Sequence, residues 1–214
     1  MKIETLEVAG MRPAFHGMRN PMDSWHLSDS DWDIAGNQFV LGEKDAALSL
    51  KLQNAGPEHC KHLRMIMVWA DITTSLTVWK QFDTYRAGIE KVSTSTMHTL
   101  MKRELTADDF ESCNGDCYGQ HLLETIDCIN ELIRAYNGSK DPAEKKAIWE
   151  YVIQILPQSF LQRRTVMMSY AAIRNIVRQR EGHKLPAWQD FIRWAHTLPY
   201  SGLLIFNMED KTDE

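Results

Sequence analysis

Between residues 80 and 86 the chain reads Lys-Gln-Phe-Asp-Thr-Tyr-Arg, a dense set of polar groups that can do recognition chemistry. Arg86 can present a planar fork to a phosphate or carboxylate, and Gln81 can pair with the amide-like edge of a base. The same spacing suits a solvated helix face on which Asp83 and Arg86 pair at i, i+3. Residue types alone leave both readings open. A second cationic set, Arg164, Arg174, Arg178 and Arg180, falls in a segment whose Val166, Tyr170, Ile173 and Val177 predict an amphipathic helix over about 159–181. Such a row can hold a phosphorylated ligand or simply be the wet face of that helix.

Histidines offer less. His59 and His62 precede an apolar stretch, and His183 follows the arginine-rich helix. No Ser-His-Asp or Cys-His set is recognisable, since such sets are defined by geometry, so no catalytic residue is assigned. His59, Cys60 and His62 together with Cys113 and Cys117 have the ligand types of a zinc site but not a standard spacing. Ordinary buried or surface thiols are the simpler reading, and no metal site is assigned. Gly-x-Gly-x-x-Gly and Gly-Lys-Thr phosphate loops are absent.

These groups need elements to position them. Residues 2–8 read as a first strand, and 11–44, rich in Gly, Pro, Asn, Asp and Trp, as loop with short turns. Residues 43–54 read as a helix sharing Ala46, Ala47 and Leu50 on one face, stopped by Gly56-Pro57. Arg64–Ile72 is nearly continuously apolar and predicts a strand buried on both faces. Thr73, Thr74 or Ser75 caps a helix from Leu76 to about Tyr85, and a loop carries Ser93-Thr94-Ser95-Thr96. Leu122, Leu123, Ile126, Ile129, Leu132, Ile133 and Tyr136 recur at helical spacing up to Asn137-Gly138. Asp141-Pro142-Ala143-Glu144 opens another helix, with Asp141 as cap and Glu144 bonding back to the cap amide. Pro186 starts a short helix with Trp188, Phe191, Ile192 and Trp194. Leu203–Phe206 reads as a last strand, and 208–214 as a frayed acidic tail.

With 214 residues, 43% hydrophobic and 25% charged, the chain suits one domain, 1–214, with a helical segment at about 119–156. The net charge of −5 argues against a general nucleic-acid binder. No stretch approaches the length of a membrane span, and the charged N-terminus lacks a signal-peptide core. A cytoplasmic protein is expected.

In their order, these segments resemble the flavin-dependent thymidylate synthases. Residues 1–10 are similar to that family's first strand. Ala55-Gly56-Pro57-Glu58-His59, the strand 64–72, and the run 80–86 follow the family's sequence of a Gly-His segment, a strand, and a helix into an Arg-Gln-Trp-Phe-Arg-His-Arg-like run. Leu156-Pro157 resembles the Leu-Pro before the family's long helix. The resemblance implies a helix-rich α/β (α+β) domain with a small mixed sheet, assembled as a homotetramer. It implies FAD held by His59, Arg86, Asn175 and His183, and a pyrimidine nucleotide, dUMP, held by Gln81, Ser93, Thr94, Ser95, Arg174 and Arg180. Methylation of that nucleotide would draw on NADPH and methylenetetrahydrofolate. The chain departs from the pattern at Thr84 and Tyr85, which stand in the Arg-His-Arg signature, and at Thr96, Ile153, Ser169 and Ala171. Arg174, Arg178 and Lys91 are the cations available to compensate. The alternative is a catalytically inactive, oligomeric binding or scaffold protein of the same fold, of phage or mobile-element type.

Overall fold

The structure, a computed structural model, describes residues 1–111 and 116–206, without the side chains of 116–118. The chain divides into two compact units. The first comprises Met1–Ile72, Tyr85–Lys91 and Thr165–Glu214, and the second Thr73–Thr84 and Val92–Arg164. The acidic tail lies outside the described residues.

In the first unit, strand β1 (Lys2–Ala9) is followed by helix α1 (Met11–Met18), where a loop is predicted. Met11, Ala14, Phe15 and Met18 form its buried stripe, a regular helical spacing disguised by Gly17 and by Pro13. Proline is tolerated there because the first turn of a helix has no intrahelical N–H bonds to lose. Strands β2 (Asp31–Asp33) and β3 (Gln38–Val40) then form an antiparallel hairpin that pairs Trp32 with Phe39. Both elements correct the reading of 11–44 as loop. Helix α2 (Glu43–Ala55) stops, as expected, at Gly56, whose φ of 133° few other residues adopt. Its buried residues are Asp45, Ser49 and Gln53 rather than the alanine-leucine face.

The apolar strand is β4 (Met67–Ser75), shifted because Lys61–Arg64 winds into a 3-10 turn and because Thr73 and Thr74, β-branched, continue the strand. Val68, Ala70 and Ile72 are buried while Met67, Trp69 and Asp71 are half-buried, so one face is covered rather than both. Ser75 occupies the N-cap position of helix α3 (Leu76–Phe82), but its hydroxyl, like that of Thr74, makes no capping bond, and the helix ends before the expected Tyr85. Strand β5 (Ile89–Ser93) replaces the start of the expected loop, and helix α4 (Thr96–Thr99) follows it.

A larger correction concerns 159–181. Residues Leu161–Ser169 form strand β6, and the helix α7 runs only over Tyr170–Arg180. Ser169 makes the break: its hydroxyl caps the helix by accepting from the Ala172 amide at 3.2 Å. Four strands form one sheet in the order β1-β4-β6-β5. The Tyr170 amide donates to Ile66 and the Thr165 hydroxyl to Asp71, which sets β4 and β6 antiparallel. Amide donations from Ser169 to Gly88 and from Thr94 to Arg163 do the same for β6 and β5. The fold class is thus the expected helix-rich α/β one with a small sheet, antiparallel at these pairs.

In the second unit, helices α5 (Asp116–Gly138) and α6 (Pro142–Ile155) enclose Ile126, Ile129, Ile133 and Val152 in a core completed by Leu100, Met101 and Phe110. Asp141 caps α6, accepting from the Ala143 amide at 2.9 Å. Glu144 does not bond directly to the cap amide. Ser139 stands between them, accepting from Asp141 N–H and donating to Glu144. The first unit closes with α8 (Pro186–His196) and a π-helical turn at Gly202–Phe206, where a strand is predicted. Among the described residues no helix is long and apolar enough to cross a membrane.

Candidate functional site

Helix α7 begins where β6 ends, and this junction creates a cleft of about 580 Å³ in the first unit. Leu63, Met67, Ala87, Ala171 and Ala172 give it a partly apolar lining, while Arg64, Arg174, Asn175 and Arg178 supply its polar groups. Gly88 also lines it, at φ 70°, and a Cβ there would stand 2.7 Å from the Ser169 hydroxyl. Glycine is therefore required by both backbone and space.

Arg174 is the unusual member. It is only 6% exposed. One Nη1–H group donates to Gln53 Oε1 at 2.7 Å, Cys60 Sγ lies 4.0 Å from the same nitrogen, and Nε has no partner. Behind it, Gln53 Nε2 donates to the Ser49 hydroxyl at 3.1 Å and to the Leu203 carbonyl at 3.3 Å. Ser49 Oγ in turn lies 2.8 Å from His62 Nε2. Every group in this chain other than the guanidinium is neutral. Burial, followed by the charge of Arg178, lowers the Arg174 pKa, partly opposed by Cys60. Burial, followed by the charge of Arg174, pushes His62 down to about 4, so it is neutral near pH 7.

A buried cation without a counter-ion is costly. Here the cost is incurred beside an open cleft that contains two further arginines and, among the described residues, no carboxylate. The arrangement suits an anion: Arg174 lines the cleft with a buried Nε–H that has no partner, and Arg64 and Arg178 add charge to the lining.

The expected site residues are distributed around this feature in different ways. Arg174 and Asn175 line the cleft; Asn175 is exposed and its Oδ1 accepts from Gln179. Arg86 is exposed and directly precedes the cleft residues Ala87 and Gly88. His59 is exposed, 3.6 Å from Glu58. Arg180 does not line the cleft. Its Nε donates to the Tyr85 hydroxyl at 2.8 Å and its guanidinium lies 4.4 Å from the Trp188 ring centroid. His183 meets the same tryptophan edge-on, and its Nδ1 accepts from the Leu185 amide. Tyr85, 8% exposed, therefore belongs to an aromatic cluster.

Gln81, Ser93, Thr94 and Ser95 belong to the second unit. Gln81 is half-buried on α3, and its carbonyl accepts from the Thr84 hydroxyl at 2.7 Å. Ser93 ends β5, the Thr94 carbonyl accepts from Gln162 Nε2, and the Ser95 carbonyl accepts from Thr99. Arg164, expected in the arginine row, lies instead on β6, where its Nη1 donates to both carboxylate oxygens of Asp83 and its guanidinium covers Trp79. Of the zinc alternative, His62 is buried against Ser49, and Cys113 and the Cys117 side chain lie outside the described residues.

Sequence reading missed Gln53, Ser49, Arg64 and Gly88. One signal was available: Asp45, Ser49 and Gln53 recur at i, i+4, a polar stripe at helical spacing on α2.

The fold is the helix-rich architecture of the flavin-dependent thymidylate synthases. A crystal structure of the flavin-dependent thymidylate synthase ThyX from Helicobacter pylori, complexed with FAD and dUMP, superposes with a TM-score of 0.77 over 98% of this chain and 100% of that one, at 14% identity. A second structure of the Helicobacter pylori enzyme with FAD and dUMP matches with a TM-score of 0.76 over 96% and 97% of the two chains, at 15% identity. No protein-family model and no curated protein matches the sequence.

Proposed function

We propose that the cleft beside α7 binds a phosphorylated ligand, and that the protein is a flavin-dependent thymidylate synthase-like enzyme acting on a pyrimidine nucleotide, with FAD and dUMP as its ligands. The observation that carries this reading is Arg174, buried, without a carboxylate partner, and with a free Nε–H beside two more arginines. A flavin nucleotide fits the donor set. Its phosphates match Arg64, Arg174 and Arg178, and its flat ring matches the apolar lining from Leu63, Met67 and Ala172. When bound, a reduced flavin supplies hydride chemistry that side chains cannot.

The protein's own contribution is then positional. Arg174 and Arg178 anchor phosphate, Asn175 offers an amide to a ring carbonyl, and the apolar residues keep water from the ring. Arg86, adjacent in the chain to Ala87, and His59 join the cofactor-binding set; His183 joins it only by family resemblance. By the family resemblance, Gln81, Ser93, Thr94, Ser95, Arg174 and Arg180 are assigned to the nucleotide. NADPH and methylenetetrahydrofolate complete the reaction, in a cytoplasmic homotetramer. The test is spectroscopic: the purified protein takes up FAD, visible as bound flavin absorbance, and its melting temperature rises with dUMP. Absence of both overturns the reading.

One observation favours a second reading. Tyr85, in the family-like signature, packs against Trp188 and accepts from Arg180, a structural use of two signature positions. On this reading the fold persists as a non-catalytic binding or scaffold protein. Rescue of a thymidine auxotroph by the wild-type chain excludes it; ligand binding without rescue supports it.

A further inference from the structure

Gln53 stands where a buried arginine would ordinarily meet an acid. Its side chain is 6% exposed and faces Arg174 Nη1 at 2.7 Å. A glutamate has nearly the same shape and would form a buried ion pair at this distance. The sequence instead places an amide there. The amide is itself held, since its nitrogen donates both to Ser49 and to the Leu203 carbonyl, which leaves Oε1 turned to the guanidinium. Ser49 is fixed in turn by His62, which burial keeps neutral at physiological pH. Cys60, the other neighbour of Arg174, donates to the Gly56 carbonyl at 3.3 Å. The whole shell orients the cation without cancelling its charge.

We infer that Gln53 is a positioning and specificity residue: it aims Arg174 into the α7 cleft while leaving its full charge for an incoming phosphate. The proposal rests on the reading of this cleft as the ligand site. A neutral aiming group gives two advantages. The guanidinium is pre-organised, so little side-chain entropy is lost when the ligand arrives. The ligand's phosphate then becomes the counter-ion that the buried charge lacks, which favours multiply charged phosphates over neutral ligands of the same shape. No other arginine of the first unit has this combination among the described contacts. Arg19, equally buried, is matched by Asp45 at 2.5 Å.

The experiment compares the full-length protein with Gln53→Glu and Gln53→Met, using inorganic pyrophosphate, FAD and dUMP as probes. Titration calorimetry gives affinities, and thermal unfolding of the ligand-free proteins gives stability. Wild type binds pyrophosphate. Gln53→Glu supplies the missing acid, so its ligand-free melting temperature equals or exceeds wild type while pyrophosphate affinity falls at least tenfold. Gln53→Met keeps the charge but loses the aim, and its affinity falls a few-fold. Opposite movement of stability and affinity in Gln53→Glu is an effect that a merely structural glutamine does not produce. The inference is overturned if Gln53→Glu binds pyrophosphate within twofold of wild type, if it melts lower than wild type, or if wild type does not bind pyrophosphate. Pyrophosphate binding that is lost in Gln53→Glu, with no uptake of FAD or dUMP, sustains this inference and sinks the flavin-nucleotide reading.

Discussion

Arg19 and Arg174 are buried to nearly the same depth, at 5% and 6% exposure, but they occupy opposite electrostatic situations. Arg19 donates its Nε–H to Asp45 at 2.5 Å, and the second oxygen of that carboxylate accepts from Ser28 at 2.5 Å. Its charge is spent inside the protein, tying α1 to α2. Arg174 has no carboxylate partner: it donates to the Gln53 amide oxygen, and its buried Nε–H has no partner. Two guanidiniums on the same unit thus separate two uses of a buried cation, one for architecture and one, on the proposed function, for a ligand. Asp45 and Gln53 even lie on the same stripe of α2, two turns apart. One residue type at each position decides which use its arginine has.

The comparison can be broken by substitution. The largest effect belongs to Asp45→Asn, which leaves Arg19 buried without its counter-ion. Loss of about 3–5 kcal/mol is expected, measured by denaturant unfolding, with no change in ligand affinity beyond that explained by unfolding. A small loss would mean that Arg19 is not structural in the sense argued.

A pH titration of stability sharpens the Arg174 side. His62 has its folded pKa lowered from 6.5 to about 4, so the unfolded state takes up a proton more readily. Its contribution is therefore fully present above pH 6.5 and lost as pH falls from 6.5 towards 4, a change of roughly 3 kcal/mol across that window. His62→Gln flattens this slope. Arg174→Met flattens it in part, because one cause of the lowered pKa is the Arg174 charge.

Arg180 provides an intermediate case, half-buried against two rings and one hydroxyl. Tyr85→Phe removes the hydroxyl acceptor and costs about 1–2 kcal/mol, seen in thermal unfolding. If it also abolished ligand binding, the assignment of Tyr85 to the aromatic cluster rather than to the ligand would need revision.

Much of the fold was legible because local chemistry decides it. Asp141-Pro142 fixes the start of α6, Gly56 the end of α2, and the period of Ile126, Ile129 and Ile133 the long helix. Misreadings fall where local and tertiary signals conflict. Residues 11–18 carry a helical stripe interrupted by proline and glycine. Residues 161–169 sit beside a true helix, and their alternating burial, with Gln162, Val166 and Met168 inside, becomes evident only once the sheet exists. The arginine row dissolved for that reason: Arg164 is a strand residue and Arg180 an aromatic partner, leaving Arg174 and Arg178 at the cleft. Their depth is a tertiary property that no spacing encodes. Gln53 is the clearest case, since a buried amide and an exposed one look alike in sequence.

On the proposed function, Arg174 holds its charge for a phosphorylated ligand. The most direct test is to titrate wild type and Arg174→Met with FAD and dUMP while recording both bound-flavin absorbance and ligand-free stability. Removing an uncompensated buried cation leaves the fold as stable or more so, while flavin and nucleotide binding fall at least tenfold. Arg174→Met binding both ligands as wild type does, or unfolding as Asp45→Asn does, would contradict the account.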